Sequence, residues 1–244
     1  MNKLSYLNEA KELLNELIEW RRYLHQNPEV GFDLPNTSKF VKDKLIEFGY
    51  EVEHLLEHGL IAEVGQGDKT ILLRADMDGL PIQEESGLDF ASNNDYSHTC
   101  GHDIHTTIML GVAKLMKEHE DKLEGVVRFE FQPAEELLIG SEAMVEAGLL
   151  DGVDVAMAAH VQPMAPASIM FKEGVSLAAA NNYRIKVKGV GAHGAMPHNG
   201  IDPVFIASEI ISASQTLVAR EISFAESAAI TTGGFDSPGS RNVI

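Results

Sequence analysis

Apolar and polar positions in the first half of the chain alternate between two periods. From Lys3 to about Gln26, Leu4, Leu7, Leu13, Leu14, Leu17, Ile18 and Leu24 recur at helical spacing among Glu, Lys and Arg, and Asn27-Pro28 ends the run. A second helix is expected with Asn36 or Thr37 as its N-cap, Phe40, Val41, Leu45 and Phe48 turned inward, and Gly49 as its stop. Short apolar runs set apart by Gly59, Gly65 and Gly67 predict strands over residues 60–64 and 70–75. The second of these contains Ile71-Leu72-Leu73, an unbroken apolar run of the kind found in strands covered on both faces.

Residues 87–97 are polar and irregular, and after Asp103 the helical period returns with Ile108, Met109, Ala113, Leu115 and Met116 on its candidate buried face. Residues 125–131 alternate as a strand, which Pro133 terminates. A helix is then expected from Glu135 and Glu136 to Ala147, followed by a strand over 153–159 that runs into His160. Farther on, a strand over 182–189, a helix capped by Asp202 with Pro203 at its first position and reaching about Arg220, and a strand over 228–232 make a unit too small to bury itself. The pattern predicts an α/β chain with a mostly parallel sheet covered by helices, divided into a domain over 1–180 and a second domain over 181–244.

The predicted strand ends carry the chemistry. Asp76 and Asp78 follow the 70–75 strand, Glu135 and Glu136 follow the 125–131 strand, and His160 follows the 153–159 strand. In open α/β sheets the ligand crevice lies outside the carboxyl ends of the strands. Between these ends stands His98-Thr99-Cys100-Gly101-His102-Asp103-Ile104-His105, three imidazoles, a carboxylate and the single cysteine in one loop that feeds a helix. Glycine between Cys100 and His102 lets both side chains turn toward one point, and thiolate with imidazole is a donor set for borderline divalent ions. Taken alone, Asp76 and Asp78 read equally well as turn or capping residues, and Glu135 and Glu136 as acids at a helix start.

The 244 residues carry a formal net charge of -18, which disfavours binding to nucleic acid or to anionic membranes. One cysteine makes no internal disulfide, and no stretch approaches the length of a membrane span, so a reducing, cytoplasmic setting is expected. A thiolate, imidazoles and carboxylates on one rim could hold two divalent ions about 3.5–4 Å apart, with an uncoordinated glutamate moving protons. Hydrolysis of an amide bond is the natural reaction class for that set.

Six motifs, in order, then carry a resemblance: Arg-Ala-Asp-Met-Asp-Gly-Leu-Pro at 74–81, the Cys/His run at 98–105, Phe-Gln-Pro-Ala-Glu-Glu at 131–136, His160, Gly-Ala-His-Gly-Ala-Met-Pro-His at 191–198 and Asn-Val-Ile at 242–244. Together they resemble the aminoacylase and carboxypeptidase family of di-metal peptidases, in its amidohydrolase branch of hippurate hydrolases, auxin-conjugate hydrolases and N-acetyldiaminopimelate deacetylases. The resemblance implies a catalytic domain of the zinc-peptidase type and a partial α+β, ferredoxin-like lid that dimerises the full-length protein. It implies two metal ions, zinc, manganese, cobalt or nickel, with Cys100 bridging them, His102, Glu136 and His160 as further ligands, Glu135 as general base and Asp78 supporting the site. Asp76 is not expected to be a ligand, His105 is expected to be structural, and His193 and Asn242 would contact the substrate, an N-acyl amino acid or small peptide. Relatives of this kind continue past Asn-Val-Ile to a last ligand histidine. The expectation is therefore a chain shortened at its C-terminus, with a silent metal-binding fragment as the alternative to an active hydrolase.

Overall fold

The computed structural model describes residues 3–175, 178–223 and 226–244, with side chains from Tyr6 onward, so Met1, Asn2 and the Leu4 side chain lie outside the described residues. The chain forms two compact units, Met1–Pro166 and Ala167–Ile244.

The first unit opens with helices α1 (Lys3–Glu12) and α2 (Leu14–Gln26) where one continuous helix was expected. Leu13 separates them, yet its carbonyl still accepts the Leu17 amide at 3.0 Å, and both pieces pack against a later helix, α4 (His102–Glu118). Helix α3 (Pro35–Glu47) corrects the capping expectation. Neither Asn36 nor Thr37 is the cap, because Pro35 occupies the first turn and the carboxylate of Glu29 accepts the Asn36 amide at 3.1 Å and the Thr37 amide at 2.8 Å. A remote acid thus satisfies donors that a local side chain usually takes. The helix ends, as expected, before Gly49, whose φ of +92° reverses the chain.

Strands β1 (Val52–His54), β2 (Leu60–Gly65), β3 (Thr70–Asp76), β4 (Val126–Gln132) and β5 (Val155–Ala158) form a single sheet in the order β1-β2-β4-β3-β5. β3 runs parallel to both β4 and β5, while β2 pairs antiparallel with β1 and β4. The sheet is mixed α/β, parallel where the candidate chemistry sits. β1 was not anticipated, since three residues with no buried position give no alternation to read.

Helices α2 to α4 lie over one face of the sheet, with α1 packed on α2 and α4. Trp20, Leu34, Val41, Leu45, Leu110, Phe129 and Phe131 form the main core there, and Tyr50 bonds through its hydroxyl to the Ala113 carbonyl at 2.7 Å. Ile61, Leu72, Met144 and Leu149 make a smaller core on the other face, under helix α5 (Gly140–Glu146). Truncating Phe129 or Phe131, both fully buried, is worth about 3–5 kcal/mol by analogy with other cores.

In the second unit, Asp202 caps helix α6 (Pro203–Thr216) as expected, accepting the amides of Val204 at 2.8 Å and Phe205 at 3.2 Å. A π-helical turn continues it over Leu217–Glu221. The strands expected over 182–189 and 228–232 are not formed. Tyr183 and Ile185 are 85% and 67% exposed, so the alternation marks apolar positions without a paired ladder to bury them.

Candidate metal centre

The parallel pairing of β3 with β4 and β5 builds the site. Asp76 stands opposite Gln132 and Arg74 opposite Ala158, so the three strands end on one rim. The loops that leave it carry Asp78, Glu135 with Glu136, and His160, and the start of α4 brings Cys100 and His102 to the same place. Gly101 makes that approach possible. Its φ is +92°, and a Cβ there would sit 2.4 Å from Val161 Cγ2, in the loop that follows His160.

Glu135 and Glu136 do not begin a helix, contrary to the sequence expectation. Ala134 and Leu138 both hold positive φ, 56° and 59°, which breaks the helical path, and α5 starts only at Gly140. The Asp78 carboxylate fixes the turn instead: Oδ1 accepts the Glu135 amide at 3.0 Å and Oδ2 the Glu136 amide at 3.1 Å.

The imidazole tautomers follow from obligatory partners. His102 Nδ1 lies 2.7 Å from the Asp78 carbonyl oxygen, and a carbonyl only accepts, so the proton is on Nδ1 and Nε2 keeps a lone pair. His160 repeats the arrangement, with Nδ1 2.6 Å from the Val161 carbonyl and Nε2 facing Cys100 Sγ at 3.5 Å. His102 Nε2 is buried without a hydrogen bond, as is Glu136 Oε1, and these two atoms are 3.8 Å apart. Glu135 Oε2 lies 3.7 Å from the same nitrogen.

Cys100, His102 and His160 form one group, and His102, Glu135 and Glu136 another, in each of which the donor atoms lie within 4.8 Å of one another. Buried lone pairs aimed at a common point are costly unless a cation meets them, so the residues present fit a metal-binding role.

Residues 72–236 match the sequence profile of peptidase family M20/M25/M40. The chain belongs to this family. Over 95% of its length it is 41% identical to an N-acetyl-L-cysteine deacetylase of Bacillus subtilis, and over 99% it is 38% identical to a hippurate hydrolase of Campylobacter jejuni. It spans 57% and 64% of the length of those two relatives. A solved structure of a dinuclear metal-binding M20 peptidase from Bacillus subtilis superposes with a TM-score of 0.61 at 40% identity, covering 63% of this chain and 44% of that one.

A third acid–imidazole group stands beside the first two in this M20 chain. Asp76, His102 and His105 also lie within 4.8 Å of one another. Asp76 Oδ1 is hydrogen-bonded to His105 Nδ1 at 2.6 Å, while its buried Oδ2 forms an ion pair with Arg74 Nη1 at 2.7 Å without a hydrogen bond of its own. Burial pushes the Asp76 carboxyl up, but the His105 hydrogen bond and the charge of Arg74 outweigh it and hold the group below its usual range.

The Cys100 thiol is pushed up to about 12, first by burial and then by Glu136, Glu135 and Asp76. Burial likewise raises the Glu136 carboxyl, against the pull of His102. Burial opposes charging of His102, yet its hydrogen bond to Asp78 and the surrounding carboxylates raise it overall. Nearby carboxylates add to the Cys100 and His102 shifts, whereas the Glu136 shift comes first from burial.

Behind the rim lies a network that the sequence did not reveal. Asp103, the carboxylate of the Cys/His run, is buried and pairs through Oδ2 with His25 Nδ1 at 2.8 Å and Arg21 Nε at 2.9 Å, while His25 Nε2 meets Glu84 at 3.1 Å. The pairing of Asp103 with His25 spans 78 positions, and nothing local in the helical run over 3–26 distinguishes His25 as a buried partner. His98 is buried too, and burial drives its imidazole down to about 4.

His193 and Asn242, the two substrate contacts expected from the sequence, lie together in the second unit. The Asn242 carbonyl accepts the Gly194 amide at 2.8 Å, His193 bridges to Val243, and His193 Nδ1 accepts the Ala195 amide at 3.1 Å.

Proposed function

We propose that the protein is a metal-dependent amidohydrolase that releases an amino acid from an N-acyl amino acid. The observation that carries this reading is the convergence of buried lone pairs, His102 Nε2 and Glu136 Oε1, with Cys100 and His160 on one rim of the sheet. Cys100, His102, Glu136 and His160 would hold two divalent ions of the zinc, manganese, cobalt or nickel type. When bound, such a pair polarises an amide carbonyl and acidifies water.

The chain's own groups do the rest. Glu135, carried on the same turn as Glu136 but outside the proposed ligand set, accepts the proton of the attacking water and returns it to the departing nitrogen. Asp78 aligns both glutamates through their amides. A cysteine nucleophile is disfavoured, because a thiol pushed up to about 12 is protonated at neutral pH without a cation beside it.

N-acyl amino acids are the preferred substrates on the strength of the named relatives, a deacetylase of N-acetyl-L-cysteine and a hippurate hydrolase. The sequence motifs support a metal-binding part over 1–180, a lid over 181–244 whose His193 and Asn242 would contact the substrate, and a homodimer, although the compact units divide earlier, between Pro166 and Ala167. Among the described residues no helix is long and apolar enough to cross a membrane, and the acidic chain with its single cysteine suits the cytoplasm.

The test is release of free amino acid from a panel of N-acetyl and N-benzoyl amino acids by full-length protein, first stripped of metal and then reloaded. Activity that disappears with chelation and returns with added divalent ion is the expected result. Metal-loaded protein that cleaves no member of the panel would reject the reading.

A further inference from the structure

The proposed ligand His160 lies beyond the end of β5, on an exposed loop, and a loop by itself is a poor holder of a donor atom. Something must fix it. The Val161 amide, the first main-chain donor after the His160 side chain, points into the protein and reaches His105 Nε2 at 2.9 Å. An amide N–H only donates, so Nε2 of His105 is the bare nitrogen and its proton is on Nδ1. That proton is directed at Asp76 Oδ1, 2.6 Å away, and Asp76 is in turn paired with Arg74.

The result is a four-membered chain, Arg74 to Asp76 to His105 to the Val161 amide, running from β3 through α4 to the His160 loop. Every hydrogen in it has one permitted direction. The ring of His105 also packs edge-on against the ring of His160, with centroids 4.5 Å apart.

We infer that His105 is a positioning residue for the metal centre: through its Asp76-fixed tautomer it clamps the Val161 amide and thereby sets where His160 Nε2 points. The inference rests on the metal-dependent reading above and extends it to a residue that is not a ligand. His105 has no lone pair left for an ion, since one nitrogen donates to Asp76 and the other accepts from Val161. Outer partners of this kind commonly govern metal affinity by about 10–100-fold.

Two near-isosteric variants separate the two ends of the clamp. Asparagine in His105→Asn places an amide where Nδ1 lay and can still meet Asp76, but nothing reaches Val161. Glutamine in His105→Gln extends to the position of Nε2 and can accept the Val161 amide. Co2+ is titrated into metal-free, full-length protein and followed by thiolate-to-cobalt absorption, with thermal unfolding of the metal-free variants recorded alongside.

His105→Asn should bind Co2+ about 10–100-fold more weakly than wild type, and His105→Gln should recover most of that loss while the metal-free unfolding temperatures of the two remain similar. Equal Co2+ affinity in His105→Asn and wild type, or equal loss in both variants, overturns the inference. If His105→Asn does not fold, Asp76→Asn provides the second test. With its amide oxygen held by Arg74, the substituted side chain turns NH2 toward His105 Nδ1 and opposes the proton there, so Co2+ affinity should fall in the same range, and an unchanged affinity rejects the clamp. Wild-type protein that takes up no Co2+ overturns the metal reading itself, whereas wild type that binds and variants that bind equally well overturn only the role of His105.

Discussion

The main-chain carbonyl of Asp78 accepts the Nδ1 proton of His102 at 2.7 Å, so one residue on a strand-end loop decides which nitrogen of a helix-borne imidazole is left bare. The carboxylate of the same residue accepts the amides of Glu135 and Glu136. Asp78 therefore ties β3, the β4 loop and α4 to one point. Asp78→Asn keeps the carbonyl contact but turns one amide donor against a main-chain donor. Metal affinity is expected to fall about 10–100-fold, measured by competition with a chelating dye, and an unaltered affinity would remove Asp78 from the site.

The two adjacent glutamates are expected to separate cleanly. Glu135→Gln should lower turnover by about 100-fold or more with metal content unchanged, as removal of a general base does. Glu136→Gln should lower metal content first. Metal analysis beside initial rates distinguishes the two, and the reverse assignment would follow if Glu135→Gln lost the metal.

Gly101 meets two demands at once, a left-handed backbone and the close approach of Val161. Gly101→Ala adds the strain of the first, about 1–2 kcal/mol, and forces Val161 outward, a further cost of about 1–3 kcal/mol. Urea unfolding should register a loss of about 2–5 kcal/mol from the two terms together. A loss below about 0.5 kcal/mol, typical of surface substitutions, would mean that the loop relaxes freely.

Acid should weaken the metal-free protein through His98. Its folded value of about 4 lies below the ordinary 6.5, so unfolding takes up a proton as pH falls between those values. The contribution is full above 6.5 and declines toward pH 4, by about 3 kcal/mol at most. His25 works in the opposite sense. Its hydrogen bond to Asp103 raises it above 6.5 in spite of burial, so its contribution is full below 6.5 and is lost as pH rises through the raised value. Urea unfolding across this range should show a flatter acid limb in His98→Gln and a flatter alkaline limb in His25→Gln. Parallel profiles for all three proteins would contradict both assignments.

The candidate site was legible because its residues sit where periodicity breaks. The strand-like runs before Asp76, Gln132 and His160 all end at the rim, and Cys100-Gly101-His102 announces itself by composition. What stayed hidden depends on contacts between distant positions. Glu29 caps α3 from outside the helix, and Asp103 finds His25 in another helix. Glu135 and Glu136 mimic a helix start in sequence, and only the Asp78 carboxylate and the positive φ of Ala134 and Leu138 explain why the helix begins later. In the second unit, apolar alternation at Tyr183 and Ile185 was read as a strand, but a strand needs a neighbour as well as a period.

The register of β3 against β4 has a further consequence for how the chain can vary. With Asp76 level with Gln132, the distance from strand end to Asp78 and the distance from strand end to Glu135 are measured from the same line. One residue inserted into either β-strand would advance its loop by about 3.3 Å and turn its alternating side chains over. The sheet works as a gauge: length changes are tolerable in the surface turns at the opposite edge, whereas between Thr70 and Asp78, and between Val126 and Glu136, the spacing itself is part of the chemistry.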